Sequence, residues 1–123
     1  MKISKSVLII EDDHDARVAM RMVFEDLDFE VFTAPNGLEG IKILFEHRPS
    51  LILLDLMMPL MTGSEFLRVK SGTPEWASIP VIIMSASQDE LNLVDGEPKL
   101  KKPLDLENLS TIAEQNIQNS IAG

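Results

Sequence analysis

The chain has 123 residues, 45% hydrophobic and 25% charged, with no cysteine and a formal net charge of −9. That is the size and make-up of one ordinary globular domain. The acidic balance argues against a nucleic-acid interface, which needs clustered Lys and Arg, and the lack of cysteine excludes disulfides and thiolate metal sites.

Met1-Lys2-Ile3-Ser4-Lys5 leads into a strand-like run and does not read as a signal peptide, and no apolar run is long enough to span a bilayer. A cytoplasmic location is expected, with no membrane and no nucleic-acid partner. Val7-Leu8-Ile9-Ile10 reads as a buried strand ending in Glu11-Asp12-Asp13. A helix is predicted from about Asp15 to Leu27, with Val18, Met22 and Val23 at helical spacing and Asp13 or Asp15 as its cap. Glu30 to Thr33 alternates and suits a strand near a sheet edge. Pro35-Asn36-Gly37 is a turn, and Leu38, Ile41, Leu44 and Phe45 mark one face of a second helix that stops before Pro49.

Leu51-Ile52-Leu53-Leu54 is an unbroken apolar run, as expected of a strand buried on both faces, and it delivers Asp55. Pro59 blocks continuation and Gly63 allows a turn. Ser64 to Lys70 reads as a third helix with Phe66, Leu67 and Val69 inward; Trp76 packs in the connection after it. Ile79 to Met84 is a fourth strand delivering Ser85. Gln88 to Pro98 is the least regular stretch. Lys99-Leu100-Lys101 is a short fifth strand before Lys102-Pro103, and a last helix from about Leu106 carries Leu109, Ile112, Ala113 and Ile117, with Ile121 extending that face.

Strands alternating with helices imply a parallel sheet covered on both faces. The expected fold is therefore α/β, a flavodoxin-like doubly wound sheet of five parallel strands in the order 2-1-3-4-5, one domain over residues 1–123. In that order Glu11 and Asp12 lie beside Asp55, with Ser85 ending the next strand and Lys102 the one beyond. Carboxylates converging on one crevice repel one another unless a cation offsets them. Oxygen ligands suit Mg²⁺, which keeps waters and adds phosphate oxygens. The expected ligands are Asp12 and Asp55, with Glu11 direct or through water and the backbone carbonyl of Met57. Asp55 is then a nucleophile that accepts a phosphoryl group, Lys102 supplies positive charge to its oxygens, and the Ser85 hydroxyl donates to one of them. Any one of these residues alone has a bland reading as a cap or surface group; their value is joint.

Val-Leu-Ile-Ile-Glu11-Asp12-Asp13 with Arg17, Leu-Leu-Asp55-Leu-Met-Met-Pro59 with Gly63, Pro80-Val-Ile-Ile-Met-Ser85-Ala86, and Lys102-Pro103 together resemble the four motifs of response-regulator receiver domains. The resemblance spans nearly the whole chain. It implies a single-domain, chemotaxis-regulator-like phosphoacceptor, phosphorylated on Asp55 by a sensor histidine kinase or phosphotransfer protein in a phosphorelay, with Mg²⁺ as cofactor. It also implies a Lys102-Pro103 bond that is often cis. Such a protein catalyses only its own phosphorylation and dephosphorylation. Output is expected through contact with a downstream protein target, since the chain ends soon after its last helix, and a monomer or weak dimer is the expected state. Ser87 and Met57 are expected to border the site and tune hydrolysis.

Two features depart from the family. Only sixteen residues separate Ser85 from Lys102, and a crossover alone takes roughly 10–12, so the fourth crossover helix should be short or missing. Lys99 stands where the family often has Tyr or Phe, which puts the usual route of transmission in doubt. A receiver-like binding module that works without phosphorylation is therefore the alternative. A Mg²⁺-dependent phosphohydrolase is disfavoured because Met57 stands where such enzymes carry a second acid. His14 and His47 read as surface residues, and Arg17 as solvent-facing or paired with an acid.

Overall fold

The computed structural model describes the backbone of residues 5–122 and the side chains of residues 5–118. Five strands are present: β1 (Ser6–Ile10), β2 (Glu30–Ala34), β3 (Leu51–Asp55), β4 (Val81–Ser85) and β5 (Lys99–Lys101). They alternate with α1 (His14–Asp26), α2 (Gly37–Glu46), α3 (Gly63–Gly72), α4 (Pro74–Ala77), α5 (Gln88–Asn92) and α6 (Leu106–Ala122). The sheet is parallel throughout in the order β2-β1-β3-β4-β5, as the alternation of elements predicts.

The unbroken apolar runs have their physical reason here. Every residue of β3 and β4 is buried, because helices cover both faces. Val7, Ile9, Leu51, Leu53, Ile82 and Met84 pack with Met20 and Phe24 of α1 and Leu109, Ala113 and Ile117 of α6. Leu8, Ile10, Ile52, Leu54, Val81 and Ile83 pack on the other face with Leu44, Phe66, Trp76 and Leu91 from α2, α3, α4 and α5. Phe24 and Phe66 are completely buried; full burial of such a side chain stabilises by roughly 1.5–3 kcal/mol.

Several helix faces differ from expectation. In α1 the inward stripe is Ala16, Met20 and Phe24, one turn apart, while Met22 is exposed. In α2, Leu44 is buried with Gly37 and Gly40, whereas Leu38 is exposed and Phe45 lies outside, its ring edge-on to Trp76 at 5.0 Å. Trp76 packs as expected, but on a short helix, α4, started by Pro74 at its first position. The crossover helix α5 is shortened to five residues and not missing. Asp13 is the cap of α1, accepting from Asp15 N–H. Ile121 lies outside the described side chains.

Val69 is exposed, and its neighbour Lys70 is the buried residue of the last turn of α3. Lys70 Nζ donates to the Ala77 carbonyl at 2.9 Å, tying α3 to the end of α4. Burial pushes its pKa below the ordinary lysine value, against the opposing charge of Glu97. The unfolded chain therefore binds more protons than the folded one just below pH 10.5. The stability of the wild type relative to Lys70→Met should accordingly rise as pH is raised from about 8 to about 10. Denaturant melts of both proteins across that range check this; a flat difference contradicts it.

Candidate functional site

The site lies at the C-terminal edge of the sheet, where open α/β sheets bind ligands. Asp55 is the last residue of β3. Glu11 and Lys102 each follow a strand directly and are held by backbone bonds, Glu11 N–H to Ala34 carbonyl at 3.0 Å and Lys102 N–H to Ser85 carbonyl at 2.9 Å. Their side chains converge across the two strands between them, β3 and β4: Lys102 Nζ donates to Glu11 Oε1, and to Asp55 Oδ2 at 3.1 Å. The peptide bond that follows, Lys102-Pro103, is cis.

Glu11 is fully buried and Asp55 nearly so, whereas Asp12 is exposed at the mouth. Burial and the neighbouring Asp55 carboxylate push the Glu11 carboxyl up to about 8, against the pull of Lys102. Burial would lower Lys102, but its bonds and charge interactions with Glu11 and Asp55 prevail and raise it. One ammonium thus faces more carboxylate than it can neutralise. Among the described residues, Glu11 Oε2 is buried with no hydrogen-bond partner. Carboxylate oxygens of Glu11, Asp12 and Asp55 lie within 4.8 Å of one another. An orphaned buried oxygen in an all-oxygen donor set fits a hard divalent cation such as Mg²⁺.

The other oxygen of Asp55, Oδ1, accepts from Met57 N–H at 3.1 Å. The Met57 side chain is exposed and, with Asp12, Pro59, Thr62, Glu90 and Leu93, lines a cleft of about 570 Å³ over the site. Ser85 is buried beside it at the end of β4. Its Oγ accepts from Ser87 N–H at 3.0 Å and donates to Glu90 Oε2 at 3.2 Å. The structure therefore brings Glu11, Asp12, Asp55 and Lys102 into one cluster, with Ser85 hydrogen-bonded away from it.

Three contributors escape a reading of sequence alone. Arg17 turns back onto backbone: its Nη1 donates to the carbonyls of Glu11, at 2.8 Å, and Asp12, at 3.2 Å, holding the loop that presents both, and among the described residues it pairs with no acid. No spacing rule predicts a guanidinium folding back onto carbonyls. Glu90 carries a signal in hindsight, the Ser-x-x-Glu of Ser87 to Glu90. Gly63 matters for room and not for a turn: an added Cβ would stand 2.7 Å from Leu56 Cα and 2.8 Å from the Asp55 carbonyl. The turn instead uses Leu60, at φ +69°. Because the clash is with backbone, Gly63→Ala should cost about 1–3 kcal/mol and displace the Asp55 loop. Urea denaturation would register the loss; an unchanged midpoint contradicts it.

Known proteins resemble this chain in sequence and in fold. A sequence model described as "Response regulator receiver domain" matches residues 7–114. Among relatives, Sporulation initiation phosphotransferase F of Bacillus subtilis is 32% identical over 112 residues, 86% of this chain and 88% of that protein. The sensor histidine kinase TmoS of Ectopseudomonas mendocina is 32% identical over 95% of this chain, which spans only 12% of the kinase, and the transcriptional regulatory protein AfsQ1 of Streptomyces coelicolor is 37% identical over 74% of this chain and 39% of its own length. In fold, the chain is similar to the chemotaxis protein CheY4 of Vibrio cholerae, with a TM-score of 0.84 at 24% identity over 93% of this chain and 99% of that one. It is also similar to the receiver domain of sensor histidine kinase PA1611 of Pseudomonas aeruginosa, solved with a magnesium ion coordinated in its active-site cleft, with a TM-score of 0.86 at 21% identity over 94% and 99%. The chain belongs to the response regulator receiver domain family of two-component signalling.

Proposed function

We propose that this receiver domain is a Mg²⁺-dependent phosphoacceptor whose acceptor is Asp55, that a sensor histidine kinase or phosphotransfer protein supplies the phosphoryl group, and that output passes by contact with a downstream protein. The observation that carries the reading is the buried Asp55 carboxylate at the end of β3, fixed by Lys102 through one oxygen and by Met57 N–H through the other. Fixing both oxygens orients the nucleophile before the donor arrives, and positioning is most of what phosphoryl transfer requires.

In the transfer a P–O bond forms at an Asp55 oxygen as the donor's P–N bond breaks, and the imidazole of a phosphohistidine leaves with the electron pair. Lys102 Nζ, 3.1 Å from Asp55 Oδ2, is placed to donate to the oxygens of the arriving group. The Ser85 hydroxyl is the second donor from the protein, once it leaves Glu90. Asp12, Glu11 and Asp55 would hold Mg²⁺, with the Met57 carbonyl as a further oxygen. The bound ion would neutralise surplus carboxylate charge and favour the charged transition state. Arg17 keeps the Glu11-Asp12 loop in place for it. The cytoplasm, where a kinase would meet this domain, is the proposed location.

Intact mass after incubation with a small phosphoryl donor tests the reading. Wild type should gain one phosphoryl group only with Mg²⁺, Asp55→Asn should gain none, and Lys102→Met should react about a hundredfold more slowly. No gain under any condition in folded protein would contradict the proposal and favour a binding module independent of phosphorylation.

A further inference from the structure

A capping box satisfies two orphan amides at a helix start: the cap hydroxyl accepts from the N–H three residues on, and that residue's carboxylate accepts from the cap N–H. At α3 the box is complete, with Glu65 N–H on Thr62 Oγ1 at 3.2 Å and Thr62 N–H on Glu65 Oε1 at 3.1 Å. At α5, Ser87 and Glu90 stand at the same spacing but form only the first half, Glu90 N–H on Ser87 Oγ at 3.3 Å. The second half is interrupted by Ser85. Ser87 N–H donates to Ser85 Oγ, and Ser85 Oγ donates to Glu90 Oε2. The hydroxyl sits between the two partners that meet directly in α3.

A serine hydroxyl has one proton to give. With that proton on Glu90, none remains for an acceptor at Asp55, which lies on the adjacent strand in register with Met84. A phosphoryl group on Asp55 adds strong acceptor oxygens, and the two acceptors then compete for one donor.

We propose, building on the phosphoacceptor reading, that Glu90 and Ser87 are positioning residues for Ser85. At rest the open box holds the Ser85 proton on Glu90. When Asp55 is phosphorylated, the Ser85 hydroxyl turns to the phosphoryl group and the Glu90 carboxylate closes directly on Ser87 N–H, as Glu65 does on Thr62. Two hydrogen bonds are exchanged for two, so no buried donor is orphaned in either state. The exchange remakes the first turn of a helix only five residues long, anchored by buried Leu91 and followed by Leu93, 83% exposed at the rim of the cleft. Phosphorylation is thereby read at α5, with no aromatic side chain needed at Lys99.

The test is amide hydrogen exchange at Ser87 in the full chain, measured by NMR with and without Mg²⁺ and beryllofluoride as the phosphoryl mimic, in wild type, Glu90→Ala and Glu90→Gln. Wild type should keep Ser87 protected in both states, the acceptor changing from hydroxyl to carboxylate. Glu90→Ala should be protected at rest, where Ser85 accepts, and should exchange about tenfold faster once the mimic binds. Glu90→Gln, whose amide oxygen can close the box, should restore protection. If Ser87 in Glu90→Ala exchanges equally with and without mimic while a bound fluorine signal is present, or is already unprotected at rest, the proposal is overturned. If no fluorine signal appears and no phosphoryl mass is gained, the phosphoacceptor reading falls and takes the proposal with it.

Discussion

The site depends on one cation shared between two carboxylates. Lys102 reaches Asp55 and the fully buried Glu11, and without it the C-terminal ends of β1 and β3 would present uncompensated charge to each other. The sharing is incomplete. Among the described residues Glu11 keeps one oxygen without a partner, and its carboxyl is raised to about 8 by burial and by Asp55. A group raised in the fold binds more protons folded than unfolded between its ordinary range and about 8, so its contribution to stability declines as pH rises through that window. The domain thus carries a local electrostatic cost at the place where a divalent cation would relieve it, a cost paired with function in the manner of other strained sites.

The parallel sheet makes this arrangement possible. Its strand order sets β1 beside β3 and places β4 and β5 in sequence beyond, so four strand ends meet at one edge. Backbone bonds carry the β1–β2 and β4–β5 ladders one residue past the strand, which fixes Glu11 and Lys102 before their side chains are considered. The packed faces below hold the strands in register, and Gly63 lets α3 start against the Asp55 backbone.

How much of this was legible in the sequence follows from which forces act locally. Val7 to Ile10, Leu51 to Leu54 and Val81 to Met84 read as buried strands because both their faces are covered, which leaves no polar alternation to misread. Charged or hydroxyl residues at the ends of such runs then stand out, and the order of the strands assembles them. Helix faces were less legible. In α1, Val18 and Met22 repeat at the same period as Ala16, Met20 and Phe24, and only packing against Val7, Ile9 and α6 selects between the stripes. Long side chains were least legible: the reach of Arg17 to two carbonyls, of Lys70 to Ala77 and of Ser85 to Glu90 depends on tertiary placement that no local period encodes.

The short fourth crossover shows the same division. Sixteen residues between Ser85 and Lys102 foretold a reduced helix, but not that its first turn would be tied to Ser85. Lys99, paired with Ile83, is exposed and its ammonium donates to the nearby Glu97 carbonyl, so an exposed cation stands at this position of β5 in place of a buried aromatic ring. The crevice gathers more carboxyl groups than Lys102 can balance, and the pH titration of the Glu11 side-chain carboxyl by carbon NMR, with and without Mg²⁺, reads that imbalance directly. Metal-free protein should show a midpoint near 8 that moves clearly down when Mg²⁺ is added. A metal-free midpoint in the ordinary carboxylate range would contradict the imbalance.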